Sequence, residues 1–89
     1  LDGIRVSFTG ENNTLVITHT DAPGVIAQVS SLLAGQGVNI ATMQVFRTVP
    51  GGDAVMVIES DELPTRSALE CLRGLRAVNS VTMLQRLDR

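Results

Sequence analysis

Thr14-Leu15-Val16-Ile17-Thr18-His19-Thr20 is apolar and β-branched, a composition that predicts a strand. Asp21-Ala22-Pro23-Gly24 then reads as a helix start, with Asp21 or Ala22 as the N-cap and Pro23 where a missing N–H costs nothing. Val25, Ile26, Val29, Leu32 and Leu33 recur at helical spacing and make one apolar face. Gly35 and Gly37 end that helix by supplying positive φ. Val38 to Thr48 forms a second strand, and Val49-Pro50-Gly51-Gly52-Asp53 the loop of a hairpin. Ala54 to Glu59 is a third strand. Ser60-Asp61-Glu62-Leu63-Pro64 restarts a helix with Pro64 near its first position. Ala68, Leu69, Leu72 and Leu75 are its buried stripe, and Gly74 or Arg76 marks its end. Ser80 to Leu87 is a fourth strand. Ahead of these, Ile4 to Phe8 alternates apolar and polar, which predicts an extra N-terminal edge strand before a turn at Gly10-Glu11-Asn12-Asn13.

The order is β, then βαββαβ. Two strand–helix–strand units sharing a hairpin give an α+β, ferredoxin-like fold: a four-stranded antiparallel sheet with both helices on one face. The third strand adds a clue, because Ala54, Met56 and Ile58 on one side and Val55 and Val57 on the other are all apolar. Two helices cover only one face, so a partner chain is expected to cover the rest, as a homodimer or higher oligomer.

Composition then removes function classes. At 89 residues and 44% hydrophobic the chain is one small domain with a core. A net charge of −2, without any lysine, argues against nucleic acid, and two aromatics are too few for base stacking. No apolar run approaches a membrane span, and no signal-peptide pattern opens the chain. A cytoplasmic protein is the fair expectation, and a start at Leu1 suggests a piece of something longer. A single cysteine, Cys71, excludes an internal disulfide and a cysteine-held cluster within this chain. Its place beside Leu72 reads as a small buried or half-buried hydrophobe. Met43, Met56 and Met83 read as core. Neither a nucleophile–base pair nor a metal-ligand spacing is present, so no catalytic or metal residues are assigned. Pro50-Gly51-Gly52 lacks the helix and Lys-Ser/Thr of a phosphate loop.

What remains is a cluster of polar residues expected to converge: His19 and Asp21 leaving the first strand, and Asn39 entering the second. The first-turn N–H groups of Gly24, Val25 and Ile26, with the positive helix end, make a seat for a carboxylate, and Asp21 or Asn39 an acceptor for an ammonium or hydroxyl group. That set suits a free amino acid. Each residue also has a plain structural reading: Asp21 as a helix cap, Asn39 as a turn residue and His19 as a packed or solvated histidine.

His19-Thr20-Asp21-Ala22-Pro23-Gly24-Val25-Ile26, followed after one helix by Gly37-Val38-Asn39-Ile40-Ala41, closely resembles the signature of ACT domains. These are βαββαβ regulatory modules that bind amino acids at subunit interfaces. The resemblance covers roughly residues 14 to 87 and implies a division into 1–13, a linker with the edge strand, and 14–89, the ACT domain. Asn39 to Val45, Arg47 and Gly51 to Met56 are similar to the regulatory domain of phosphoglycerate dehydrogenases and to that of the iron–sulfur L-serine dehydratase β chain. Phe46-Arg47, Ile58-Glu59-Ser60-Asp61 and the lead-in Asp2 to Glu11 lean toward the dehydratase. Either resemblance implies L-serine, or another small amino acid, as ligand. It places the contacts at His19, Asp21 and Asn39, with Gly24, Val25, Ile26 and Ile40 beside them. Serine-inhibited members carry asparagine at the position of Asp21, a departure that bears on serine affinity. A dehydratase parent would convert L-serine to pyruvate and ammonia with a [4Fe-4S] cluster held elsewhere, in a catalytic domain or subunit that this chain partners. A ligand-free assembly module is the alternative from another class.

Overall fold

The computed structural model of the chain describes residues 13–47 and 49–84. Within them run β1 (Asn13–Thr20), α1 (Val25–Gly35), β2 (Ile40–Arg47), β3 (Asp53–Ser60), α2 (Arg66–Arg73) and β4 (Val78–Leu84). The strands form a four-stranded sheet in the order β2-β3-β1-β4, antiparallel at every junction. This is the ferredoxin-like βαββαβ arrangement that the sequence implies. The edge strand expected at Ile4–Phe8 and the last residues of the fourth strand lie outside the described residues. β2 begins at Ile40 rather than Val38, and β4 at Val78 rather than Ser80.

Alternation along the strands sorts their side chains. Leu15 and Ile17 of β1, Met56 and Ile58 of β3 and Val81 of β4 form one core with Val25, Val29 and Leu33 of α1 and Leu72 of α2. That cluster is why both helices lie on the same face: a fully buried aliphatic side chain contributes about 1.5–3 kcal/mol, and both apolar stripes need the one surface. Met43 and Met83 are partly buried against it, and Met56 is fully buried. Ile26, expected in the α1 stripe, is instead 48% exposed.

The opposite face changes one expectation. Val55 and Val57 are 4% and 2% exposed within the single chain, clustered with Val16 and packed by Phe46. The second apolar side of β3 therefore does not require a partner chain to bury it.

The helix ends also differ from expectation. α1 is capped by Gly24 at φ 86°, with no side-chain cap, so neither Asp21 nor Ala22 is the N-cap and Pro23 precedes the cap. At the other end Gly37, at φ 80°, follows the Gln36 C-cap. Its N–H donates to Ala34 O, and Val38 N–H donates to Leu33 O. This double bond pattern closes the last turn and needs a left-handed residue at Gly37. In α2 Thr65 is the N-cap, its hydroxyl accepting from Ala68 N–H at 3.1 Å, and Pro64 stands just before it instead of at the first helical position. Cys71 is exposed, because Ala68 and Leu72 take the buried stripe and a neighbour of Leu72 is turned about 100° from it.

Candidate functional site

β1 and β2 each pair antiparallel with β3, so they run in the same direction. The chain leaves β1 at Thr20, opposite Asp53, and enters β2 at Ile40, opposite Ser60. Asp21 and Asn39 therefore stand at opposite ends of an eight-residue strand, roughly 25 Å apart. Their expected convergence within one chain does not occur. The physical reason is the α1 crossover, which carries the chain back along the sheet before β2 begins.

At the Asp21 end, the β1–α1 loop is tied to both neighbours. Thr20 N–H donates to Ala77 O at 2.8 Å, and Asp21 N–H donates to Gly52 O at 2.7 Å. The Asp21 carboxylate accepts at Oδ2 from Gly51 N–H at 3.0 Å and from Arg47 Nη1 at 3.1 Å. Gly51, at φ 78°, sits in the left-handed region that glycine favours. Rather than capping α1, Asp21 latches the β2–β3 hairpin to the β1–α1 loop through Oδ2. Gly24, Val25 and Ile26 open α1 beside this latch, with Gly24 and Ile26 exposed and Val25 buried. The first helical turn carries no acidic residue and no side-chain cap, and Val25 N–H turns back to Ala22 O at 3.4 Å, so an anion seat there would use the N–H groups of Gly24 and Ile26.

The Gly51 N–H first, and then the Arg47 guanidinium, hold the Asp21 carboxyl below its ordinary value. A depressed folded-state pKa means the unfolded chain binds the proton more tightly, so the latch contributes stability above the ordinary aspartate range. That contribution is lost as pH falls through the folded value. Followed by NMR, the Gly51 amide is expected to keep its shift on acidification until below the ordinary aspartate range, then to move. In Asp21→Asn that step should vanish; a step at the ordinary aspartate pH would contradict the latch.

His19 is 2% exposed and shares the helix-covered face with Leu15 and Ile17. Its Nδ1 lies 2.9 Å from Thr20 O, and a carbonyl only accepts, so Nδ1 carries a proton; in the neutral ring Nε2 then presents a lone pair. Nε2 is buried without a hydrogen-bond partner among the described residues. Such an acceptor is costly to leave unmade, and a hydroxyl or ammonium donor is its chemical complement.

Asn39, at the far end, is engaged with the β3–α2 loop. Its N–H donates to Glu62 Oε1 at 2.6 Å and its Nδ2 to Asp61 Oδ2 at 3.3 Å. Ile40, next to it, is partly buried against the core. Arg47 and Gly51, and Asp61 and Glu62, were not singled out as site residues from sequence. No local signal marks them, because each partner is more than twenty positions away.

β2 is an edge strand of the sheet. Val45 is 37% exposed on the helix side, in register with Met56. Ser30 Oγ, 3.9 Å from Met43 Sδ, places α1 above this strand. Ile26, one turn before Ser30, thus lies toward Val45, and together they give the open edge an apolar border. Among the described residues no group of three His, Cys, Asp or Glu side chains could hold a metal, and no helix is long and apolar enough to cross a membrane.

The ACT-domain family model matches residues 13–77. D-3-phosphoglycerate dehydrogenase of Methanocaldococcus jannaschii is 36% identical over 84 residues, 94% of this chain and 16% of that protein. The L-serine dehydratase β chain of Peptoniphilus asaccharolyticus is 29% identical over 75 residues, 84% of this chain and 34% of that protein. The chain thus spans a minor part of the curated relatives it matches. Among solved structures, the ACT domain of GTP pyrophosphokinase from Chlorobium tepidum has a similar fold, with a TM-score of 0.66 at 19% identity, covering 81% of this chain and 95% of that one.

Proposed function

The chain belongs to the ACT-domain family and is a regulatory domain of the amino-acid-sensing kind, and we propose that its ligand is L-serine, bound between two copies of the chain. ACT domains commonly bind amino acids and oligomerise. The observation that carries the ligand reading is the buried Nε2 of His19, without a hydrogen-bond partner among the described residues, on the segment that leads through Asp21 to an α1 start with no side-chain cap. An amino acid supplies what these groups lack: a donor for Nε2 and Asp21, and a negative charge facing the positive end of α1.

Asn39 joins this site only from a second chain. If the open edges of two β2 strands pair antiparallel about a two-fold axis, the start of one β2 lies beside the end of the other. Asn39 of one chain then stands near Arg47 and Asp21 of its neighbour. The Ile26–Val45 border would be covered by the same pairing. Ligand bound there would favour one subunit arrangement over another, and a coupling of about 1–3 kcal/mol suffices for regulation.

In this reading the parent enzyme is an L-serine dehydratase that forms pyruvate and ammonia from L-serine. The higher identity to the M. jannaschii dehydrogenase favours a phosphoglycerate dehydrogenase as the second reading. The parent dehydratase's [4Fe-4S] cluster does not fit this chain, which has one cysteine, and no step is assigned to it.

Isothermal titration of the dimer with L-serine, with D-serine and glycine as controls, is expected to show stereoselective binding. Asn39→Ala should weaken it about tenfold, the cost of about one hydrogen bond to a charged group. Unchanged affinity in Asn39→Ala would remove the shared site. No heat from a folded dimer with any of the three would leave a ligand-free assembly module.

A further inference from the structure

We propose that Arg47 is the specificity-determining residue of this site: it binds the ligand's α-carboxylate while Asp21 holds the α-ammonium, so the pair is a preformed receptor for a zwitterion. The inference rests on the reading that the chain binds an amino acid beside Asp21.

Asp21 by itself presents a difficulty. A carboxylate attracts the ammonium of an amino acid and repels the carboxylate attached to the same carbon. Arg47 removes that conflict, because its Nη1 lies 3.1 Å from Asp21 Oδ2 and the two charges together are neutral. A ligand with opposite charges on one carbon can meet both groups in complementary order.

The pair is held in place without being used up. Oδ2 of Asp21 takes both internal bonds, from Gly51 N–H and from Arg47, and Oδ1 has no hydrogen bond among the described residues. A guanidinium has five N–H donors in a rigid fork, and the bond to Asp21 is the one Arg47 makes among the described residues. The Arg47 side chain is 57% exposed against 22% for Asp21, so the remaining donors face solvent and a planar carboxylate can dock on them.

Both members of the pair are also rigidly supplied. Asp21 is sutured to the hairpin through its own N–H, and Arg47 is the last residue of β2. The end of β2 is where an antiparallel partner strand would bring Asn39. A surface ion pair of this exposure stabilises a fold only weakly, so a purely structural role for Arg47 predicts little effect of its loss.

The test compares L-serine with L-serine methyl ester, which keeps the ammonium and hydroxyl groups and lacks the carboxylate charge. Titrations use the whole dimeric chain as wild type, Arg47→Gln and Arg47→Lys, with circular dichroism showing that each variant is folded. Wild type is expected to prefer L-serine over the ester by about tenfold, as a charge-assisted contact provides. Arg47→Gln should lose that preference, with the ester bound nearly as before, and Arg47→Lys should recover part of it. If Arg47→Gln weakens both ligands equally, Arg47 is only a latch and the proposal falls. Unchanged L-serine affinity in Arg47→Gln overturns the proposal while leaving the amino-acid site standing. Wild type that binds neither ligand overturns both.

Discussion

Ile58→Ala is expected to cost about 3 kcal/mol of folding stability. Ile58 lies on β3, between β1 and β2, with Leu15 and Met43 as its register partners, and it is fully buried in the helix-facing core. Truncation there removes the transfer free energy of the lost carbons and leaves a cavity that a sheet bonded on both sides closes poorly. A domain of this size has about 5–10 kcal/mol in total, so roughly 30–60% of the stability goes. Melting should fall by roughly 12–24 °C, and Ile58→Val by much less, about 1 kcal/mol. Denaturant unfolding at a fixed protein concentration measures this, with the contribution of association held the same for every variant. Exposed Cys71 makes the contrast, since Cys71→Ala should lie within about 0.5 kcal/mol of wild type. A loss at Ile58 no larger than that at Cys71 would mean the core is not centred on β3.

Val45→Lys is expected to break the proposed β2-paired dimer while the chain stays folded. Val45 is 37% exposed at the free edge, and Ile26 beside it is 48% exposed. A lysine there is harmless in a single chain, because its ammonium stays in water. In a two-fold pairing of β2 edges it falls within the seam, and inward charge on an edge strand is the ordinary obstacle to strand addition. Weakening of at least about a hundredfold is expected from the lost apolar contact and the cost of enclosing an unpaired ammonium in the seam together. Sedimentation velocity reads the change, and L-serine affinity should fall with it if Asn39 comes from the neighbouring chain. A variant that remains dimeric would move the interface away from β2.

The order of elements was legible because its signals are local. The apolar run at residues 14–20, the helical spacing of Val25, Val29 and Leu33, and the Pro50–Gly52 turn each lie within a few positions of one another. Capping was read less well. Asp21 and Pro23 look like a helix start, yet the Asp21 carboxylate goes to Gly51, thirty positions away, and Gly24 takes the cap. A carboxylate has one place to be, and a backbone N–H together with a guanidinium outcompetes a solvent-exposed cap.

The candidate site follows the same division. His19, Asp21 and Asn39 are visible in the sequence as polar residues at element ends, and so is the kind of ligand they suit. Their relative placement was not visible, because strand direction, not sequence distance, decides which ends meet. Nor could periodicity show that Val55 and Val57 are buried within the chain, or that His19 Nε2 is buried without a partner among the described residues. By itself the sequence determined the βαββαβ order and the family, since hydrophobic period and turn chemistry act over a few residues. Only the tertiary structure decided that Asp21 closes on Arg47 and that Asn39 belongs to the other end of the sheet. Those contacts exist only once the α1 crossover and the β2–β3 hairpin bring distant segments together.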